Sequence, residues 1–401
     1  MTKLLIISFD AVGDSLFNTL MNGKNFARLA ERSSVMRNVS SIDLSNTYPI
    51  HTSVITGTEP VEHGLISNKE PIPCRNAKWY YKAENIKKKT LWQAAHEAGL
   101  KVGSVLWPVT GGAKEIKWNI PEILVQADQN AAAEYLRYGS KLLELEYIAR
   151  FRQLLNGIRQ PQLDHFASTC MEHMLRKKKP DLALVHLTAY DGLCHKYGPG
   201  NPKLERAFES LEESLERLLG AITEDTNVLL FSDHSQFPVN NSILPNDLLV
   251  EMGHMKKDDS GNYQYDECYF ECCGGSAFLH PGKLGTEEIA GVKRKIANII
   301  GFNRFLTDRE MERGGRKELP FGFCVHPGWN CEIFKGHKRG EHGYPVDYDD
   351  YSVFYMVSGP AFTEGIVEHG GSVLDIAPLA ATVLGVTMPG LRQVDQVLLR
   401  R

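Results

Sequence analysis

Six side chains with metal-binding chemistry fall at recurrent places in this sequence. Asp10 directly follows the apolar run Leu4–Phe9, and Asp191 and His195 come just after Leu182–His186. Asp233 and His234 follow Val228–Phe231 with one serine between, and His342 lies in Glu341-His342-Gly343, ahead of Val353–Val357. Three carboxylates and three imidazoles brought to one place supply enough oxygen and nitrogen donors for two borderline-hard divalent cations. Singly they say little. A strand-terminal Asp is often a helix cap, an Asp-His dipeptide is usually a loop, and Asp191 with His195 four residues on can be a surface pair. Their joint placement after apolar runs carries the weight, because open α/β sheets bind ligands beyond the carboxyl ends of their strands.

The elements that must position these residues are legible as punctuation. Leu4–Phe9, Val102–Leu106, Leu182–His186, Val228–Phe231 and Val353–Val357 are short, almost continuously apolar and followed by polar or glycine-containing turns, which predicts buried parallel strands. Helical patterns lie between them. One opens at Asn201-Pro202 and repeats Leu204, Phe208, Leu211, Leu215 and Leu218 along one face. Another starts at Thr286, with Ile289, Val292, Ile296 and Ile299, and a third starts at Ser372, where Asp375 completes a capping box. Alternation of this kind predicts an α/β protein with a mostly parallel sheet flanked by helices. At roughly 100–200 residues per domain the 401 residues allow several units, but the rhythm favours one domain over 1–401. Residues 108–165 and 237–340 break it and are expected to be insertions capping the functional edge.

Beyond these patterns the sequence resembles a known family. Thr47-Tyr48-Pro49-Ile50-His51-Thr52-Ser53-Val54-Ile55-Thr56-Gly57, followed by His63-Gly64 and Asn68, resembles the nucleophile segment of type I phosphodiesterases and nucleotide pyrophosphatases, of the alkaline phosphatase superfamily. Asp191-Gly192-Leu193-Cys194-His195-Lys196-Tyr197-Gly198-Pro199 is similar to that family's D-x-x-x-H-x-x-G-P, Ser232-Asp233-His234 to its S-D-H, and Glu341-His342-Gly343-Tyr344 to its x-H-G-Y. Four separated motifs agree in order, and the likeness extends over about residues 4 to 390.

The resemblance implies an alkaline-phosphatase-like fold and two divalent cations, usually zinc, with Mn²⁺ as the other expectation. Asp191, His195 and His342 would hold one; Asp10, Asp233 and His234 the other, with the Thr47 hydroxyl reaching the cations. Thr47 would then be the nucleophile of a phosphothreonine route, since coordination lowers the pKa of an otherwise poor nucleophile. Asn68 would donate to a phosphoryl oxygen. Tyr48, next to the nucleophile, and Trp107 in Trp107-Pro108 are expected to touch the substrate's organic group. The chain departs from the family in reading Ser235-Gln236 where Gly-Met is common, which is expected to alter packing beside the second cation. His51 and His63 are expected in turn or supporting roles and His369 in a structural one, while Tyr80, Tyr81 and Trp118 carry no readable direction.

Composition bounds the partners. The chain is 42% hydrophobic, 23% charged and 9% aromatic, with 45 basic against 49 acidic residues and a net charge of −4, so no global field draws nucleic acid or an anionic membrane. Lys87-Lys88-Lys89 and Lys177-Lys178-Lys179 read as solvated surface. No secretory signal or membrane span is evident, and the eight cysteines, with no CxxC pair, read as reduced thiols of a cytoplasmic protein. A small phosphodiester or nucleotide is the expected substrate. Competing readings keep the cations but change the bond (phosphomonoester, phosphonate or sulfate ester), make a phosphomutase, or leave an inactive metal-binding module. The oligomeric state is not encoded in these patterns.

Overall fold

The computed structural model describes residues 2–400 apart from 75, 126–128, 266, 267, 394 and 395. Its centre is an eight-stranded sheet of β1 (Leu4–Phe9), β2 (Ser33–Val39), β3 (Val102–Val105), β4 (Trp118–Ile120), β5 (Leu182–Leu187), β6 (Asn227–Ser232), β7 (Val353–Ser358) and β8 (Val367–His369). Their order is β8-β2-β7-β6-β1-β5-β3-β4. β1 pairs in parallel with both β5 and β6, whereas β7 runs antiparallel to β6 and β2. The expectation that Val353–Val357 is parallel is therefore corrected. A strand buried on both faces is continuously apolar in either direction, so its residues cannot report polarity. β2, with Ser33, Ser34, Arg37 and Asn38, was not recognisable as a sheet strand from its apolar content.

Side-chain alternation divides the core in two. Leu5, Ile7 and Phe9 of β1 pack towards the helices Gln162–Lys177 and Glu205–Leu219. Leu4 and Ile6 face the opposite layer with Ile50, Val54 and Ile55 of the helix Thr47–Thr56 and Leu379 of Ile376–Leu384. The helix foreseen from Asn201 begins as a 3₁₀ turn over Pro202–Leu204, where Asn201 Oδ1 accepts the Lys203 N–H at 3.0 Å, and continues as Glu205–Leu219. The Ser372/Asp375 capping box is present, with Ser372 N donating to Asp375 Oδ2 at 2.7 Å. Among the described residues no helix is long and apolar enough to cross a membrane.

Residues 237–340 build a second sheet of antiparallel strands, in the order Tyr269–Cys272, Ser276–His280, Gly322–Val325, Phe302–Phe305, with its own core around Phe270, Leu279 and Phe323. The two-residue strand Gly340–Glu341 pairs antiparallel with Phe237–Ile243, so the chain enters His342 from a fixed register. Gly343 then takes a φ of 84°, and a Cβ there would meet Cys273 O at 1.8 Å, so only glycine permits this close passage.

One buried ion pair ties this second sheet to the backbone at Ile66. The Arg316 guanidinium contacts both carboxylate oxygens of Glu271, with Nε at 3.1 Å from Oε2, and Nη2 also donates to Ile66 O at 2.9 Å. Both side chains are almost wholly buried, at 1% and 2% exposure. Burial opposes the Glu271 charge, but Arg316 and the neighbouring His280 hold its carboxyl down to about 2. Removing one partner strands the other charge, so Arg316→Ala is expected to destabilise the chain by about 3–5 kcal/mol. Arg316→Lys should lose less, because it keeps the charge while giving up the planar fork. Urea unfolding of both variants checks this; an unchanged midpoint for Arg316→Ala would contradict it.

Candidate metal and phosphoryl site

The sheet topology decides where the six metal-binding residues meet. β1 lies between β5 and β6, and Asp10, Asp191 and Asp233 all follow the carboxyl ends of these strands. Ala11, just past Asp10, adopts a left-handed φ of 64° and turns its N–H onto Asp233 Oδ1 at 3.0 Å. His234 Nε2 sits 3.3 Å from Asp10 Oδ1 and 3.4 Å from Asp233 Oδ2. One turn of the helix Ala189–Tyr197 separates Asp191 from His195, placing His195 Nε2 3.2 Å from Asp191 Oδ1. His342 closes the gap between the groups, its ring centroid 4.1 Å from that of His234 and 5.2 Å from that of His195. The donor atoms thus cluster as Asp10–Asp233–His234 and as Asp191–His195–His342, each within 4.8 Å.

The donor chemistry fits cations. Asp10 Oδ1 and Asp233 Oδ2 are buried without a hydrogen-bond partner, an arrangement that costs several kcal/mol per charged group (on the order of 1–3 or more) unless something positive offsets it. The three rings share one orientation. Nδ1 meets a backbone oxygen, of Gly340 for His195 (2.8 Å), Ser45 for His342 (2.9 Å) and Ser235 for His234 (3.2 Å). Nδ1 therefore carries the hydrogen and Nε2 offers its lone pair to the cluster. Burial, then Asp233 and Asp191, push Asp10 well above the usual carboxylate range, and burial brings Asp233 up to about 6. Burial likewise lowers His234 to about 4 and His342 to about 3, which keeps both rings neutral and able to bind metal.

Thr47 is the first residue of its helix and lies on this edge, with Oγ1 3.3 Å from His234 Nε2. The helix therefore points its positive end at the cluster. Asn68 Oδ1 accepts the Tyr48 N–H at 2.9 Å, so its amide group is anchored beside Thr47 with its NH₂ still to give. A cavity of about 710 Å³ opens over this edge, lined by Asp10, Thr47, Asn68, Asp191, His195 and His342, together with Tyr48, Trp79, Lys69 and Glu122.

Two expectations change. Trp107 does not line the cavity; it is fully buried, its ring 5.0 Å from His51 and 6.0 Å from Phe231, beneath the site in the core. Trp-Pro at a strand end cannot distinguish a wall from a floor. Trp79 stands on the wall in its place, 5.5 Å from Tyr48. Gln236 serves the first group rather than the second, donating from Nε2 to Asp191 Oδ1 at 2.5 Å. His51 and His63 are buried and fully bonded: His51 to Thr47 O (2.8 Å) and Ser8 Oγ (2.9 Å), His63 to Ser53 Oγ (2.9 Å) and the Leu65 N–H (3.2 Å). His369 meets Asn38 near the surface.

Besides Trp79, two residues beside the cluster were not singled out from the sequence. His186, the fifth residue of β5, is unexposed, with Nδ1 2.8 Å from Glu122 Oε2 and Nε2 3.2 Å from Asp10 Oδ2. Burial disfavours its charged form, but the two carboxylates outweigh that and hold its pKa well above the ordinary range in the cation-free chain. An imidazole inside an apolar buried strand was the available signal. Glu122 follows a proline in an irregular stretch and offered none.

The chain is similar to known proteins over most of its length. The family model described as Type I phosphodiesterase / nucleotide pyrophosphatase matches residues 4–299. Human ectonucleotide pyrophosphatase/phosphodiesterase family member 1 is 21% identical over 394 residues, covering 90% of this chain but 37% of its own length. Human family member 5 is 19% identical over 402 residues (96% and 75%), and the Pongo abelii bis(5'-adenosyl)-triphosphatase ENPP4 is 19% identical over 399 (96% and 78%). Among solved structures, human ectonucleotide pyrophosphatase/phosphodiesterase 5 superposes with a TM-score of 0.71 at 16% identity over all of both chains. An inactive threonine-to-alanine variant of the murine protein, in complex with AMP, gives 0.70 at 16% over the same full lengths. The fold is thus alkaline-phosphatase-like, with a mostly parallel sheet flanked by helices.

The excess of buried carboxylate has a measurable sign. Asp10 has a raised folded pKa, so the cation-free fold holds a proton that the unfolded chain releases, and this contribution is lost as pH rises above the ordinary carboxylate value. Asp10→Asn is expected to melt higher than the wild type in chelator at pH 8, with the gap closing towards pH 4. With Zn²⁺ the order should reverse, since the wild type gains more by linkage. Thermal unfolding with and without chelator checks both; the same order under both conditions would contradict the assignment.

Proposed function

The chain belongs to the type I phosphodiesterase / nucleotide pyrophosphatase family, and from that premise we propose that it hydrolyses phosphodiester or pyrophosphate bonds of small nucleotide-like substrates, using two divalent cations and Thr47 as nucleophile. The observation that carries this reading is the position of Thr47 Oγ1, 3.3 Å from His234 Nε2, at the start of a helix and beside the anchored Asn68 amide. Asp191, His195 and His342 would hold one cation and Asp10, Asp233 and His234 the other. Bound there, such ions, zinc by family habit and Mn²⁺ as the alternative, lower the pKa of a hydroxyl and offset phosphoryl charge.

The chain's own residues would do the rest. The helix N-terminus at Thr47 favours the anionic phosphoryl group, and the Asn68 NH₂ donates to an oxygen whose charge grows during transfer, a contribution worth about 100–1,000-fold in rate. Thr47 Oγ1, having given up its proton, attacks phosphorus in line as the bond to the leaving oxygen breaks and that oxygen takes up a proton. The phosphoryl group, with its remaining substituent, is left esterified to Thr47. Water, losing a proton as it attacks, then displaces Thr47 Oγ1, which is reprotonated to the hydroxyl. Tyr48 and Trp79 form an aromatic wall for the organic group of the substrate. The AMP complex of the murine protein supports a nucleotide as the first substrate class to try.

Thr47→Ala removes the nucleophile and none of the six side chains assigned to the cations. It should stay folded and metal-loaded while losing at least about three orders of magnitude in rate, and Thr47→Ser should keep measurable turnover. Release of p-nitrophenol from bis-p-nitrophenyl phosphate should exceed release from p-nitrophenyl phosphate in Zn²⁺ or Mn²⁺. Monoester preference would point to a phosphatase, and no release from either to a mutase or an inactive module. Near wild-type turnover by Thr47→Ala would refute the covalent route.

A further inference from the structure

We propose that His186 is a fourth protein ligand of the cation assigned to Asp10, Asp233 and His234, with Nε2 as the donor and Glu122 as the carboxylate that orients its ring. This deepens the two-cation reading above and rests on it. His186 lies on β5 beside β1, in register with Ser8, and has no exposure to solvent. Its Nε2 is a buried polar atom without a hydrogen-bond partner; it lies 3.2 Å from Asp10 Oδ2, close to the carboxylate without completing a hydrogen bond. One ring nitrogen of His186 is also within 4.8 Å of an Asp233 carboxylate oxygen.

The arrangement of ring nitrogens separates His186 from the other buried histidines. His195, His234 and His342 each have Nδ1 against a protein oxygen and Nε2 turned into the cluster. His186 follows the same rule, with Nδ1 2.8 Å from Glu122 Oε2. Facing a carboxylate oxygen, Nδ1 carries the hydrogen, which leaves the Nε2 lone pair for a cation. His51 is just as buried and close by, its ring centroid 4.3 Å from that of His186, yet both its nitrogens are spoken for by Thr47 O and Ser8 Oγ. Glu122 is itself held, since its Oε1 accepts from the Tyr48 hydroxyl at 3.3 Å. A carboxylate behind a histidine, fixing its tautomer and ring plane, is the usual support of a metal-bound imidazole, and its loss costs about 10–100-fold in metal affinity. Tyr48, on the cavity wall, is thereby linked through Glu122 to the cation.

The test uses the full chain loaded with Co²⁺, whose unpaired electrons shift the N–H protons of bound imidazoles far from the ordinary range. Every ring named here donates its Nδ1–H to a protein oxygen, so these protons exchange slowly enough to count. Two bound ions with four shifted imidazole N–H resonances are expected. Two ions with three resonances would overturn this proposal alone, leaving His186 as a proton-bearing bridge between Asp10 and Glu122. Fewer than two ions would overturn the underlying reading, and this proposal with it. In chelator competition, Glu122→Gln should weaken one Co²⁺ by about 10–100-fold and leave the other unchanged. His186→Ala should weaken the same ion by more than Glu122→Gln does. Wild-type affinity for both ions in both variants would overturn the assignment, and the wild-type resonance count stands even if His186→Ala fails to fold.

Discussion

Two carboxylates forced out of water on one edge of a sheet, with a third beside them, are the constraint on which the rest of the structure turns. Asp10 and Asp233 directly follow adjacent strands whose register is fixed by pairing and burial, so neither can move away from the other without unpairing a strand. Asp191 is brought alongside by the helix Ala189–Tyr197 and stays partly exposed. Like charges in a low-dielectric pocket raise one another's pKa or demand a counterion. Here the fold shows both responses at once: carboxyl groups held above their ordinary range, and imidazoles kept neutral with their lone pairs turned inward. An apolar core of this size can hold such a cluster in place while the cluster itself opposes folding.

Much of the remaining architecture serves that edge. The Thr47 helix starts where the sheet ends, so its dipole and its first hydroxyl are delivered together. The segment between β6 and β7 contributes to the site twice. Its strand Gly340–Glu341, paired with Phe237–Ile243, feeds His342 in, and Arg316, ion-paired with Glu271 of the second sheet, holds the backbone at Ile66, two residues before Asn68. The Asn68 amide is thus tied through the neighbouring Ile66 backbone to the second sheet. Asp10 and Asp233, by contrast, are placed by the pairing of β1 with β6.

What could be read from the sequence, and what could not, divides along physical lines. Asp10, Asp191, His195, Asp233 and His234 were legible because each stands just beyond an apolar run, a local feature. The direction of β7 was not, since Val353–Ser358 is apolar either way. β2 escaped because its serines and Arg37 break the apolar pattern, although Ser33 and Ser34 are buried and bonded to Leu29 O and Thr363 O, the second contact spanning 329 positions. Trp107 was sent to the cavity and Trp79 overlooked for a related reason. An aromatic beside a strand end can fill the floor or line the wall, and only its tertiary neighbours, His51 for Trp107 and Tyr48 for Trp79, decide which.

His51 and His186 carry the same lesson further. Both are fully buried imidazoles in contact with each other and within reach of the Asp233 carboxylate, and residue type and burial do not tell them apart. The difference lies in what each second nitrogen meets. Ser8, one strand over, occupies Nε2 of His51, so that ring serves as a strut between β1 and the Thr47 helix. Glu122, from a stretch with no regular structure, occupies Nδ1 of His186, so that ring is left with Nε2 facing the Asp10 carboxylate. A hydroxyl and a carboxylate more than a hundred positions apart thus assign opposite chemistry to two rings in contact. Such assignments are made by tertiary structure alone, and they concentrate where the fold has gathered more charge than its own side chains can neutralise.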